Sequence, residues 1–296
     1  MKLGMKKSNA LGQGILTVVL TLLCLGIFIP FWILVSVSFS SEADISYYGY
    51  RLIPKNFDLS AYQYVFKHPA TILNAYKVTA IFSTAGTILS VVMVSLFAYP
   101  LSRSIFKIRN KLSMFIYFTT MFGGGLVPMY ILITQYLHLD NTIWVYIIPG
   151  AFSVWSAFVM RTFFMGIPGE IIESAYMDGA SEFKILFQIV YPLSTPVLAT
   201  MALGGFLGKW NDWNTSMLYI DDSKLYSLQY MLQRIIQNIT LLQNNESAAQ
   251  FADDMKIPAE TVRMAMAVVV AGPVLFIFPF FQKYFTKGMV LGSVKG

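Results

Sequence analysis

The stretch Ile15–Phe39 reads ILTVVLTLLCLGIFIPFWILVSVSF, and no Asp, Glu, Lys or Arg occurs from Lys7 to Glu42. At 1.5 Å per residue, about 20 apolar residues cross a hydrocarbon core of about 30 Å as a helix. The same measure applied along the chain finds five more charge-free windows, between Lys77 and Arg103, Lys111 and Asp140, Asp140 and Arg161, Lys184 and Lys209, and Arg263 and Lys283. The expected spans are residues 15–39, 78–102, 112–137, 143–160, 185–208 and 264–282. The fold class that follows is all-α, a polytopic membrane protein with six transmembrane helices in a single domain. The first window is far longer than the 7–15-residue apolar core of a signal peptide, so it is expected to stay as a helix.

Composition agrees with this reading. Of the 296 residues, 56% are hydrophobic and 12% charged, against roughly 25% charged in soluble proteins. A soluble two-domain enzyme of this length is excluded on that ground. Aromatic residues make up 16%, as suits bilayer interfaces. The net charge of +6 is spread between apolar runs, which points to membrane topology and lipid headgroups rather than nucleic acid. With Cys24 as the lone cysteine, and with His68 and His138 far apart, neither an intrachain disulfide nor a Cys/His metal cluster can be built.

Lysine and arginine set the orientation. The short loop Arg103–Lys111 holds four basic residues and no acid, whereas the connection Leu137–Thr142 carries only Asp140. The basic loop and both termini are therefore placed in the cytoplasm, together with residues 165–184. Residues 214–261 become the largest extracytoplasmic loop, and the amphipathic run Ser227–Leu242 within it predicts a surface helix. Ser40–Ala70 is read as an outer loop rich in tyrosine and turn residues. Lys209 is read as the outer boundary of the fifth window.

The middles of the expected spans carry no Asp, Glu, His, Lys or Arg, and Cys24 is the one thiol there. Ion-coupled carriers usually keep a titratable group at membrane depth, although sodium can be held by backbone carbonyls at broken helices. A stand-alone ion-coupled secondary transporter or channel therefore stays open as the alternative. The chain has no G-x-x-x-x-G-K-[ST] loop for nucleotide phosphates. Any ATP that drives transport would be bound by a partner subunit, with no cofactor on this chain. Gly123-Gly124-Gly125 with Pro128, Pro192 with Pro196, and Pro273 with Pro279 interrupt the third, fifth and sixth spans. They fit hinges around a path, and equally the ordinary tolerance of membrane helices for Gly and Pro.

The inner loop carries the most specific signal. Pro168 can open a helix, and Glu170 and Glu173 favour its N-terminal end. Ile172, Ala175, Tyr176 and Gly179 share one face. Gly179 can take the left-handed conformation that ends a helix, and Ser181 can cap the next one. A short amphipathic helix, a tight turn and a membrane helix result.

Glu173-Ser174-Ala175, three residues, Gly179, nine residues, then Ile189-Val190-Tyr191-Pro192 resembles the EAA motif of membrane subunits in binding-protein-dependent ABC importers. Ser174 replaces Ala and Tyr191 replaces Leu in that pattern. Asp178 and the run Pro192-Leu193-Ser194-Thr195-Pro196 look more like the carbohydrate branch. Trp210-Asn211-Asp212 is similar to the W-N-[DE] of sugar permeases, and Leu101–Arg109 resembles their basic loop. The ending Gly288 to Gly296 looks like the tail of the maltose-type six-span subunit.

The resemblance implies a type I importer permease, non-catalytic itself, in a bacterial plasma membrane. Its implied partners are a second permease subunit, two ATPase subunits, and an extracytoplasmic sugar-binding protein that delivers a sugar or oligosaccharide. Glu173, Ser174, Ala175, Asp178 and Gly179 would couple to an ATPase, and Gly292, Lys295 and Gly296 of the tail would reach the ATPase dimer. Trp210, Asn211, Trp213 and Asn214 could line a substrate path, or form an interfacial aromatic belt with polar ends.

Overall fold

The computed structural model describes residues 10–67, 69–244 and 258–292. They fall into two compact units, one of Met1–Pro69 with Arg234–Ala271, the other of Ala70–Gln233 with Gly272–Gly296. Among the described residues the regular structure is helical: α1 (Ala10–Ser38), α2 (Glu42–Tyr48), α3 (Ser60–Val65), α4 (Pro69–Ser102), α5 (Arg109–Met121), α6 (Leu126–Ile131), α7 (Trp144–Ile147), α8 (Val154–Met165), α9 (Gly169–Met177), α10 (Glu182–Ile185), α11 (Tyr191–Leu193), α12 (Thr195–Trp210), α13 (Asn214–Tyr219), α14 (Leu228–Asn244) and α15 (Ala259–Gly292).

Among the described residues three helices are long and apolar enough to cross a membrane: Gly12–Ser38, Pro69–Ser102 and Ala259–Gln282. The third and fifth windows are bent pairs. Arg109–Met121 meets Leu126–Tyr136 at 109°, and Glu182–Leu193 meets Thr195–Trp210 at 83°. The first break falls on Gly123-Gly124-Gly125, where Gly125 sits at φ +87°, a region closed to most side chains. The second break follows Pro192, and Pro196 sits in the first turn of α12, where its missing N–H costs little.

The fourth window is not the continuous helix expected over 143–160. It divides into the single turn α7 and the 12-residue α8. Pro149-Gly150 lies between them; Ile148 still has helical backbone, but Pro149 has no N–H to carry the helical ladder on. Freedom from charge makes a segment compatible with lipid, but it does not make it one helix.

In the first unit, the expected outer loop after α1 forms the two short helices α2 and α3. Ser41 caps α2 through Asp44 N. The Glu42 carboxylate then reaches the start of α15 and accepts from Glu260 N at 2.9 Å, Thr261 N at 3.0 Å and Thr261 Oγ1 at 2.9 Å. The first turn of a helix has N–H groups without intrahelical partners and a partial positive charge. A carboxylate supplied from more than 200 residues away satisfies both. Tyr50 donates to Glu260 at 3.1 Å, and burial first and that carboxylate second push its phenol up.

The second unit has two apolar clusters strung along α4. One joins Val78 and Phe82 to Ile133, Val145, Tyr146, Ile147 and Ile220, with the Phe82 and Tyr146 rings stacked at 4.3 Å. Its polar seam is closed. Tyr146 OH contacts Ser216 Oγ and donates to Leu225 O, Ser216 bonds Ser227, and Leu228 N donates to Thr79 Oγ1. Ser227 also accepts from Tyr230 N at the head of α14, so the amphipathic run Ser227–Leu242 is helical as its period indicates. The other cluster gathers Val94, Ala98 and Tyr99 of α4 with residues of α8, α9, α10 and α12.

Candidate functional sites: a fastened helix and a polar cleft

The segment 165–184 forms local structure by local rules. Pro168 stands one position before α9, as its N-cap. The helix ends in a Schellman turn: Gly179 sits at φ +73°, Gly179 N donates to Tyr176 O, and Ala180 N donates to Ala175 O. Ser181 then accepts from Lys184 N and opens α10.

One face of α9 is inside. Ile172 and Ala175 are buried in the cluster with Phe164, Ile185 and Leu186. Glu173, Ser174, Asp178 and Gly179 lie on the exposed side. Met177 is 88% exposed at the tip of that face. Of the five residues named for ATPase coupling, four are therefore presented outward, and Ala175 fastens the helix from within. The prominence of Met177 was missed from sequence, since an isolated Met has no motif to mark it.

The loop is tied to α4 by side chains far apart in sequence. Tyr99 and Tyr176 both donate to the Glu182 carboxylate, one to each oxygen. Burial first and Glu182 second push the Tyr176 phenol up, so it stays a donor. Arg161 Nε donates to Leu101 O at 3.1 Å. Tyr191, the departure from Leu in the motif, hydrogen-bonds Ser95 through its OH. A Leu could not make that bond, so this substitution has a structural reason.

A cleft of about 480 Å³ opens beside the middle of α4. Its walls carry Thr87, Ser90, Ser153, Ser156 and Thr200, the glycines Gly150, Gly204, Gly205 and Gly208, and Lys209. Lys209 is thus not simply the outer boundary of the fifth window; its amine donates to Gly150 O at 3.3 Å. Two glycines make its room. A Cβ on Gly150 would lie 2.8 Å from Lys209 Nζ, and one on Gly86 would lie 2.9 Å from Lys209 Cε. Thr87 Oγ1, in the same wall, is buried and without a hydrogen-bond partner, a state that costs about 1–3 kcal/mol.

Trp210, Asn211, Trp213 and Asn214 are not among the residues lining this cleft. Trp210 is buried and stacks on Phe206. Asn211 ends α12 through Leu207 O. The neighbouring Asp212 accepts from Thr215 N and Thr215 Oγ1 at the start of α13. In this structure the Trp-Asn-Asp run builds a helix-to-helix turn. In the tail, Gly292 is the last residue of α15; Lys295 and Gly296 lie outside the described residues.

An all-helical membrane protein with broken spans, a short fastened helix and a polar cleft has the architecture of a transport permease. The chain belongs to the family described as the binding-protein-dependent transport system inner membrane component, which it matches over residues 86–291. It is 37% identical to Protein LplC of Bacillus subtilis (strain 168), covering 90% of this chain and 89% of that protein. It is 35% identical to the polygalacturonan/rhamnogalacturonan transport system permease protein YtcP of the same organism, covering 90% and 92%. Among solved structures, a bacterial ABC transporter involved in the import of the acidic polysaccharide alginate superposes with a TM-score of 0.79, at 28% identity, over 96% of this chain and 100% of that one.

Proposed function

We propose that this chain is one of two permease subunits of an ATP-driven importer of sugars or oligosaccharides. As a permease it forms half of the path and performs no hydrolysis. Two separate ATPase subunits bind and hydrolyse ATP, and an extracytoplasmic binding protein delivers the saccharide. The names of the polygalacturonan/rhamnogalacturonan permease and the alginate importer support the substrate class.

The observation that carries the coupling role is α9. Its inner face is buried, its C-terminus is locked by Gly179, and Glu173, Ser174, Met177 and Asp178 stand outward. A helix fixed at its back and open at its front suits docking in a cleft of an ATPase. Closure of the ATPase dimer would then bias a two-state path, as coupling requires. In the tail, Gly292, Lys295 and Gly296 would add contacts inside that dimer.

The topology that goes with this function has six crossings and cytoplasmic termini, with the fourth crossing made by the broken α7–α8 segment. Single cysteines at Ser41 and Asn141 in a Cys24→Ser chain should label from outside intact cells, and one at Ser104 should not. The assembly itself is tested by affinity purification from membranes. A second permease and an ATPase should come with the chain, and proteoliposomes of the complex should take up saccharide only with ATP inside the cell-equivalent compartment and binding protein outside. ATP-independent uptake by the chain alone would contradict the reading.

A further inference from the structure

The importer reading leaves the kind of saccharide open, and the cleft beside α4 bears on it. Its lining carries one ionisable side chain, Lys209. The nearest acid along the chain, Asp212, is engaged by Thr215 N and Thr215 Oγ1. Among the described residues the only ion pair is Arg263 with Glu260; the Lys209 ammonium is bonded to a backbone carbonyl and feels the Asp212 carboxylate only from beyond ion-pair distance. A cation at the end of a membrane helix can snorkel to the interface. This one instead donates to Gly150 O inside the cleft, with Gly86 and Gly150 both lacking the Cβ that would push it away.

The rest of the lining suits a hydroxylated ring. Thr87, Ser90, Ser153, Ser156 and Thr200 carry hydroxyls; Ser156 donates to Ser153 and Thr200 to Pro196 O, and Thr87 Oγ1 has no partner among the described residues. The glycines Gly204, Gly205 and Gly208 give a wall against which a ring can approach the backbone. An unpaired ammonium among hydroxyls is the complement of a sugar that carries both hydroxyls and a negative charge.

Resting on the importer reading, we propose that the cleft is a transit site for anionic saccharides, with Lys209 as the residue that reads the sugar carboxylate. The ammonium pairs with the carboxylate as the ring passes, and the hydroxyl-lined wall holds the ring. The contact is transient, since a path site must release what it binds.

The test uses the whole importer reconstituted in proteoliposomes and two probes, trigalacturonate and its methyl ester, which share rings and differ in charge. The measured quantity is the ratio of their ATP-driven uptake rates for wild type and for Lys209→Met. The same binding protein feeds both variants, so a change in the ratio belongs to the permease. Wild type should favour the free acid, Lys209→Met should lower the ratio at least 10-fold, and Lys209→Arg should retain most of the preference. Gly150→Ala, whose new Cβ displaces the amine, should give an intermediate ratio. An unchanged ratio in Lys209→Met overturns the inference and leaves the importer reading standing. So does loss of the assembled complex in Lys209→Met, which would assign the amine to a subunit contact. A wild-type complex that takes up no saccharide with ATP and binding protein overturns the importer reading itself.

Discussion

The helix α9 and the cleft beside α4 are built by opposite means. Around α9 several polar side chains are paired, since Glu182 receives two tyrosines, Tyr191 meets Ser95, and Arg161 meets a carbonyl, while the buried Nε of Arg103 beside Tyr99 has no partner among the described residues. Around the cleft two groups are less engaged, an ammonium bonded to a backbone carbonyl without an ion pair and a Thr87 hydroxyl without a partner among the described residues, while Ser153, Ser156 and Thr200 are hydrogen-bonded. A part proposed to transmit force has to keep its shape, and internal hydrogen bonds such as these help it do so. A part that handles a ligand must keep donors and acceptors in reserve. The same difference shows in the glycines. Gly179 serves a backbone conformation at φ +73°, whereas Gly86 and Gly150 serve space for a side chain.

The largest expected effect comes from breaking the fastened part at its turn. Gly179→Pro forbids the left-handed backbone on which both Schellman bonds depend. Together with Glu173→Ala it should lower ATPase recovered with the purified permease by more than 10-fold, read from gel band intensities, while the second permease is retained. Gly179→Ala alone places a Cβ where about 1–2 kcal/mol of strain results, and should give a partial loss.

A smaller effect should follow from cutting the tie between α9 and α4. Glu182→Ala leaves Tyr99 OH without its acceptor in a residue only 6% exposed, at a cost of about 1–3 kcal/mol. The complex should assemble, but binding-protein-stimulated hydrolysis should fall several-fold relative to basal hydrolysis, measured by phosphate release. An equal change in basal and stimulated rates would mean that the tie is not part of transmission.

Two contrasts are expected to be smaller still. Glu42→Gln keeps the shape of the cap on α15 but offers one acceptor oxygen where Glu42 uses two, so one of the bonds from Glu260 N and Thr261 N is lost and the other loses its charge assistance. It should destabilise the detergent-solubilised chain by about 1 kcal/mol, read from its thermal midpoint. Tyr191→Leu restores the family pattern and removes the bond to Ser95. It should cost about 1 kcal/mol and change transport by less than twofold.

These sites differ in how far they can be read from sequence. The helix α9, its αL glycine and the Ser181 cap are set by neighbours a few residues apart, and each was legible from residue type and spacing. The charge-free windows were legible as lipid-compatible segments. Their breaks were legible only in part: Gly123-Gly124-Gly125 and Pro192 were flagged, whereas Pro149-Gly150 was passed over inside a window that contained no charge. The tie through Glu182 joins α4 to residues about 80 positions later, and the cap by Glu42 spans more than 200. No local pattern encodes such pairings. Lys209 was seen only as the charge that closes a window, because its role depends on two glycines from other segments. The Trp210-Asn211-Asp212 motif drew attention to the right turn, while the polar side chain in the cleft stands one residue before it.

The central claim is that the outward face of α9 is where an ATPase sits, and Met177, 88% exposed at its tip, offers the most direct test. In a Cys24→Ser chain, Met177→Cys should form a disulfide with a cysteine placed in the ATPase cleft when the purified complex is mildly oxidised. The adduct should disappear in the Glu173→Ala, Gly179→Pro background. If the cysteine at 177 reacts freely with a bulky maleimide in the intact complex and yields no adduct from any position scanned in the ATPase cleft, the account of α9 as the coupling element is contradicted.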